Sequence, residues 1–246
     1  MRIAIVSDIH GNLTAFEAIL ADLRETAPDL IFHGGDLADG GARPAEIVDR
    51  IRALGWPGVV GNTDELLFRP ASLAEFASQS AQTLQPVFAA VEEMAASTRE
   101  ALGEERLAWL QGLPRTLVHS PLALVHASPE SLWRAPSSQA ADAELEQVYG
   151  PLAQPIAVYA HVHCSFVRRL AGIRSGSATV VANTGSVSLS YDGDRRSSYL
   201  LLDGLEPTIR RVEYDADKEQ KALSESGLPH ADWIARTIAA ARPQMP

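Results

Sequence analysis

Four apolar residues, Ile3-Ala4-Ile5-Val6, run unbroken and then stop at Ser7-Asp8-Ile9-His10-Gly11-Asn12. An uninterrupted apolar run of this length reads as a strand buried on both faces. Ending it in a carboxylate and an imidazole sets a strong constraint, because buried polar groups must find partners. Residues two apart on an extended chain share a side, so Asp8 and His10 are expected to converge on one point. They read as the first half of a metal site.

The same grammar recurs. After Asn12, a candidate N-cap, Leu13, Phe16, Ile19, Leu20 and Leu23 mark a helix over 13–24. Asp29 to His33 reads as a second strand, ending in Gly34-Gly35-Asp36-Leu37-Ala38-Asp39. Residues 44–54 read as a second helix. Gly58-Val59-Val60 reads as a third strand, closing on Gly61-Asn62-Thr63-Asp64. Strand–helix repeats this short predict parallel crossovers, with sites at the carboxyl ends of the strands. Residues 65–113 change character: rich in Ala, Leu, Glu and Gln, they read as an inserted helical cap.

Two apolar runs, 116–119 and 122–126, flank Ser120-Pro121 and read as a hairpin. Both end in histidine, so His119 and His126 compete for one role. A helix is expected from about Ser138. A buried strand over 155–160 runs into His161-Val162-His163, with Cys164 facing away into packing. Strand candidates follow at 166–170, 179–183, 197–202 and 208–212, with turns at Asp192-Gly193 and Asp203-Gly204. Residues 217–241 read as closing amphipathic helices broken at Gly227 and Pro229.

The chain has 246 residues, enough for one domain over 1–246 with the cap inside it. Its formal net charge of −10 argues against a nucleic-acid partner, which demands a basic face. It does not argue against a phosphate ligand beside bound cations. The single cysteine leaves no thiolate zinc cluster or intramolecular disulfide. No signal peptide or membrane-length apolar run is visible, so a cytoplasmic protein without a membrane partner is expected. Oligomeric state is not legible.

The polar residues that follow the strands are Asp8, His10, Asp36, Asn62, His126, His161 and His163. Two carboxylates, an amide oxygen and four imidazoles suit borderline transition metals better than Ca²⁺ or Mg²⁺. Seven ligands suit a pair of ions about 3.5–4 Å apart. His33 is a candidate for substrate contact. Arg134, Arg195, Arg196 and His230 read as surface residues.

Asp8-Ile9-His10, Gly35-Asp36 through Asp39, Gly61-Asn62-Thr63-Asp64, His126 and His161-Val162-His163 resemble, in order, the motifs of the calcineurin-like metallophosphoesterases, the compact bacterial phosphodiesterase branch in particular. The resemblance implies an α+β fold, an αββα sandwich of two mixed sheets flanked by helices. It also implies Asp8, His10 and His163 on one metal, Asn62, His126 and His161 on a second, and Asp36 bridging. Two divalent ions, Mn²⁺ first with Fe, Ni²⁺, Zn²⁺ or Co²⁺ as alternatives, then support in-line attack of a metal-bridging hydroxide on a small phosphorylated substrate. Asp36, Asn62, Asp39 and Thr63 occupy the catalytic positions, and Asn62 also faces substrate. Thr63 stands where the family usually has a histidine, which favours esters with good leaving groups. The late turn Asn183-Thr184-Gly185-Ser186 is similar to one that packs beside the site. The competing expectation is a non-catalytic metal-binding scaffold that binds a partner protein.

Overall fold

The computed structural model describes residues 1–170, 178 and 180–246. Two sheets form its centre. The first has the order β2 (Leu30–His33), β1 (Arg2–Val6), β8 (Ser197–Asp203), β9 (Glu206–Val212). The second has the order β3 (Thr116–His119), β4 (Leu122–Val125), β5 (Ile156–Tyr159), β7 (Val180–Asn183), β6 (Phe166–Arg169). Both are mixed. β1 pairs parallel with β2 and antiparallel with β8; β5 pairs parallel with both β4 and β7.

Period-two alternation builds the layers. Ile3 and Ile5 of β1, with Phe32, Leu200 and Leu202, meet Leu122, Leu124, Ile156, Val158, Val180 and Ala182 in one core between the sheets. The alternate residues Ala4 and Val6 face outward, into a second core with Phe16, Ile19, Ile47 and Ile51. Those four come from α1 (Leu13–Thr26) and α2 (Pro44–Leu54). On the far side Val125, Ala157, Tyr159 and Val181 pack with Leu145 and Tyr149 of α6 (Asp142–Tyr149). Four layers result, as the family resemblance implies. Every β1 residue after Arg2 is buried, which is why that strand carries no polar side chain beyond its first residue.

Several expectations are corrected. Gly58-Val59-Val60 forms no strand: its one bridge is His33 with Gly58, and Val60 N–H turns away to the Pro114 carbonyl. The helix α3 (Asn62–Phe68) begins on Asn62 instead, with Gly61 at the cap position. Asp192-Gly193 does not join neighbouring strands, since β7 and β8 lie in different sheets. Residues 184–196 instead cross from one sheet to the other. The helix expected from Ser138 begins at Asp142. Thr179, expected to open a strand, lies outside the described residues.

The segment 65–113 carries the remainder of α3, α4 (Ala71–Ala77) and α5 (Gln85–Gln111), the last kinked at Gly103. α7 (Ala216–Glu225) and α8 (Ala231–Ala240) close the chain. Met94 of α5 packs with Leu189, Leu223, Ile234 and Ile238, which docks the closing helices beside α5.

Candidate metal centre

The candidate site lies where β1, β2, β4 and β5 end. Four groups gather first: ligand atoms of Asp8, His10, Asp36 and His163 all lie within 4.8 Å of one another, and all four residues are buried. His163 Nε2 is 3.1 Å from Asp8 Oδ1, and His10 Nε2 is 3.8 Å from Asp36 Oδ2. On the other side of Asp36, His126 Nε2 is 3.4 Å from the same Oδ2. The Asn62 side-chain amide lies 2.9 Å from His126 Nε2 and 2.8 Å from His161 Nδ1. Its oxygen and nitrogen are interchangeable at that position, and the three groups converge either way. All seven candidate ligands are thus brought together, with Asp36 in the middle.

The backbone sets the tautomers. His10 Nδ1, His126 Nδ1 and His163 Nδ1 lie 2.7, 2.8 and 2.7 Å from the carbonyls of Asp39, Gly34 and Leu189. A carbonyl only accepts, so each Nδ1 must carry the proton. In the neutral ring Nε2 is then a lone pair, and it faces the cluster. His10 Nε2 and His163 Nε2 stand only 3.4 Å apart. Two lone pairs that close, beside two carboxylates, fit a cation.

Convergence does not come from strand alternation. β1 ends at Val6 and β5 at Tyr159. Asp8, His10, Asp36, His161 and His163 all take left-handed backbone, with φ of 54°, 46°, 53°, 65° and 54°. Such conformations cost about 1–3 kcal/mol each for a non-glycine residue, and Asp and His tolerate them better than most. Surrounding hydrogen bonds hold them. Asp64, fully buried, accepts from the N–H groups of Asp36, Leu37 and Gly61. Ser7 Oγ donates to Asp8 Oδ2, and the Ser186 hydroxyl donates to the Asp8 carbonyl. The 184–188 turn therefore clamps the first ligand loop. Gly61 lies so close to Asp36 that a Cβ there would sit 2.0 Å from Oδ1 and 2.4 Å from the backbone nitrogen.

Electrostatics follow from burial and proximity. Burial opposes ionisation of Asp36, yet the imidazoles of His126 and His10 overcome it and hold its pKa below the usual range. Burial likewise disfavours a charged His126, but Asp36 outweighs it and raises this imidazole to about 9. His161 is pushed down to about 4 by burial and then by His126. Asp39 goes up to about 7, chiefly through burial, with the negative charges of Asp36 and Asp64 adding to it. Its Oδ1 accepts from Thr98 of α5 at 2.8 Å. Thr63 N–H donates to Asp36 Oδ1, while the Thr63 hydroxyl is buried without a hydrogen bond among the described residues.

Other expected residues fall elsewhere. His33 does not reach the cleft. It is still part of β2, is fully buried, and packs against Gly58 with its ring 6.1 Å from Trp109. Neither ring nitrogen has a hydrogen-bond partner among the described residues, and burial lowers its pKa to about 3, so the substrate contact expected of His33 does not fit its position. His119 packs toward Phe32. Cys164 is half-buried rather than enclosed. Arg134 lies over Phe76, Arg196 pairs with Asp194, and His230 pairs with Glu93. Nothing in the sequence assigned a role to Ser7, Asp64 or Leu189, while Ser186 lies in the turn expected beside the site. Asp64 alone had a local signal, as an acidic third residue of a helix whose cap N–H needs an acceptor.

The family model for the calcineurin-like phosphoesterase superfamily domain matches residues 1–205. The chain belongs to the calcineurin-like phosphoesterase superfamily. This superfamily member is similar to a metallophosphoesterase from Sphaerobacter thermophilus, with 27% identity and a TM-score of 0.79 over 98% of this chain and 100% of that one. It shares its fold with the hypothetical protein PH1004 from Pyrococcus horikoshii OT3, at 17% identity and a TM-score of 0.81 over 99% of each chain. In sequence it is 28% identical to the uncharacterized protein MJ0912 of Methanocaldococcus jannaschii over 253 residues, 96% of each chain. It also matches the symmetrical bis(5'-nucleosyl)-tetraphosphatase of Aromatoleum aromaticum at 28% over 151 residues, 60% of this chain and 52% of that protein. A hydrolase with a buried cluster of metal-binding residues is the general character these similarities support. No helix among the described residues is long and apolar enough to cross a membrane.

Proposed function

We propose that the chain is a dinuclear-metal-dependent phosphoesterase, a phosphodiesterase or phosphatase that acts on a small phosphorylated substrate. One observation carries the reading: three imidazoles whose Nδ1 atoms are tied to backbone carbonyls aim their Nε2 atoms at two buried carboxylates. Asp8, His10 and His163 would hold one ion, and Asn62, His126 and His161 the other. Asp36, between the two groups, would bridge them. The donor set has nitrogen and oxygen without thiolate, which suits Mn²⁺, and also Fe, Ni²⁺, Zn²⁺ or Co²⁺. Bound there, such ions lower the pKa of water and screen the charge of a phosphoryl group.

The chain's own residues do the rest. The carbonyl-fixed imidazoles need no reorientation on loading, so the site is organised before substrate arrives. Thr63, in the place of the family's usual histidine, cannot donate a proton efficiently at neutral pH. Leaving groups that depart without a proton are therefore preferred, such as nitrophenolates. We place the whole reaction in one domain, with α3 to α5 as a cap beside the cleft, and the protein in the cytoplasm. A non-catalytic metal-binding scaffold would take up Mn²⁺ without turnover, so activity separates the two readings.

Metal-free protein should be inert toward bis-p-nitrophenyl phosphate and become active with added Mn²⁺. Asp36→Asn should remove that activity by at least about 1,000-fold, or about 4 kcal/mol in the barrier. Activity surviving in Asp36→Asn would refute the assignment.

A further inference from the structure

We infer that the cleft is built for an ester with a single phosphorus atom and an apolar organic group, selected by Val91, Met94, Leu189, Trp233 and Ile234. The inference rests on the phosphoesterase reading of the same site. The cleft has a volume of about 260 Å³. The candidate ligands His10, Asp36, Asn62, His161 and His163 line it, and the five apolar residues line it with them. Val91 and Met94 come from α5, Leu189 from the 184–196 crossing, and Trp233 and Ile234 from α8. Met94, Leu189 and Ile234 belong to the small core that docks α7 and α8 beside α5. All three are nearly fully buried, yet each also borders the cleft, and half-buried Val91 and Trp233 expose more of its apolar lining. Water against such a wall finds few partners, and an apolar group that displaces it gains by leaving bulk water.

Charge narrows the choice further. Among the described residues, no lysine or arginine lines this cleft. A polyphosphate chain carries a negative charge on each phosphoryl group, and sites that bind one supply arginine or lysine forks for it. Here only the metal centre offers positive charge. Size agrees, since ligand sites for drug-sized molecules start at about 300 Å³. The cleft has room for a phosphoryl group and one ring-sized substituent, with the departing group left toward solvent. The four-phosphate substrate named for the Aromatoleum aromaticum relative is therefore a poor match to this wall.

The test is a series of p-nitrophenyl phosphodiesters in which the second ester group is methyl, butyl or phenyl. The leaving group is constant, so intrinsic reactivity changes little along the series. With Mn²⁺-loaded full-length protein, kcat/KM should rise about tenfold from methyl to phenyl, through KM. Tenfold corresponds to about 1.4 kcal/mol. Trp233→Ala, at a half-buried position, should reduce that ratio to below about threefold. The symmetrical dinucleoside tetraphosphate should turn over at least tenfold less efficiently than the phenyl diester. A flat series with measurable turnover, or preference for the tetraphosphate, overturns the inference and leaves the phosphoesterase reading standing. Turnover of no member overturns both. If Trp233→Ala fails to fold, the parent series and the tetraphosphate comparison decide alone.

Discussion

Gly61→Ala separates packing at the metal centre from every other effect of the substitution. Gly61 has φ −96° and ψ 174°, an extended conformation that alanine adopts freely. The backbone therefore contributes no strain, and the less flexible unfolded chain stabilises by about 0.4–1 kcal/mol. Against this, the new Cβ would stand 2.0 Å from Asp36 Oδ1, 2.4 Å from its nitrogen and 2.8 Å from its Cγ. Ordinary contact requires about 3.4 Å or more, so the Asp36 loop must retreat by about 1 Å. Overpacking of this kind costs about 1–3 kcal/mol. The net loss should be about 1–2 kcal/mol, or about 2–8 °C in Tm for a chain of this size. A 1 Å displacement of the central carboxylate should lower kcat/KM on bis-p-nitrophenyl phosphate by about 100-fold. Gly55→Ala is the control. Gly55 has φ 65° with nothing within 4 Å of the place its new methyl group would take, so it should lose about 1 kcal/mol of stability and no activity. A Gly61→Ala protein with parental Tm and kcat/KM within threefold of the parent would refute the packing argument.

Three further outcomes follow from the same geometry. Ser7→Ala removes the hydroxyl that touches both Asp8 Oδ2 and Thr184 Oγ1, and calorimetric titration should show metal affinity weakened about 10–100-fold. In the metal-free protein His126 is raised from 6.5 to about 9, so the stability it contributes is complete below pH 6.5 and is lost as pH rises through 9. The loss is about 3 kcal/mol at most, and Asp39, raised to about 7, acts in the same direction below pH 7. Thermal melts should show metal-free Tm falling between pH 6.5 and 9, and no such fall after Mn²⁺ loading, which requires a neutral His126; parallel profiles would contradict this. Thr98→Val leaves Asp39 Oδ1 without its donor and should destabilise by about 1–3 kcal/mol in denaturant melts, with an unchanged midpoint as the refuting result.

The centres of the sheets were legible because strands such as β1, β4 and β5 are apolar on both faces and stop abruptly. Ile3 to Val6 could be read as core without knowing what covered it, since one sheet face meets the other sheet and the other meets helices. The seven donors were legible for the same reason: each follows the end of such a run or, for Asn62, a short extended segment. How they converge was not. Five of them sit at positive φ, a property that no local pattern of non-glycine residues announces. His33 shows the limit of strand-end reasoning. It ends an apolar run as His126 follows one, but it remains within the strand and its ring packs toward Trp109. The crossing at 184–196 was hidden because a turn signal such as Asp192-Gly193 cannot say whether the next strand joins the same sheet. That crossing supplies the Leu189 carbonyl that fixes His163, so part of the site's chemistry was hidden with it.

Anomalous diffraction from crystals grown with Mn²⁺ tests the central claim most directly. Two peaks should appear in each chain, one against Asp8, His10 and His163, the other against Asn62, His126 and His161, with Asp36 in contact with both. One peak alone, or none at these side chains, would contradict the dinuclear account.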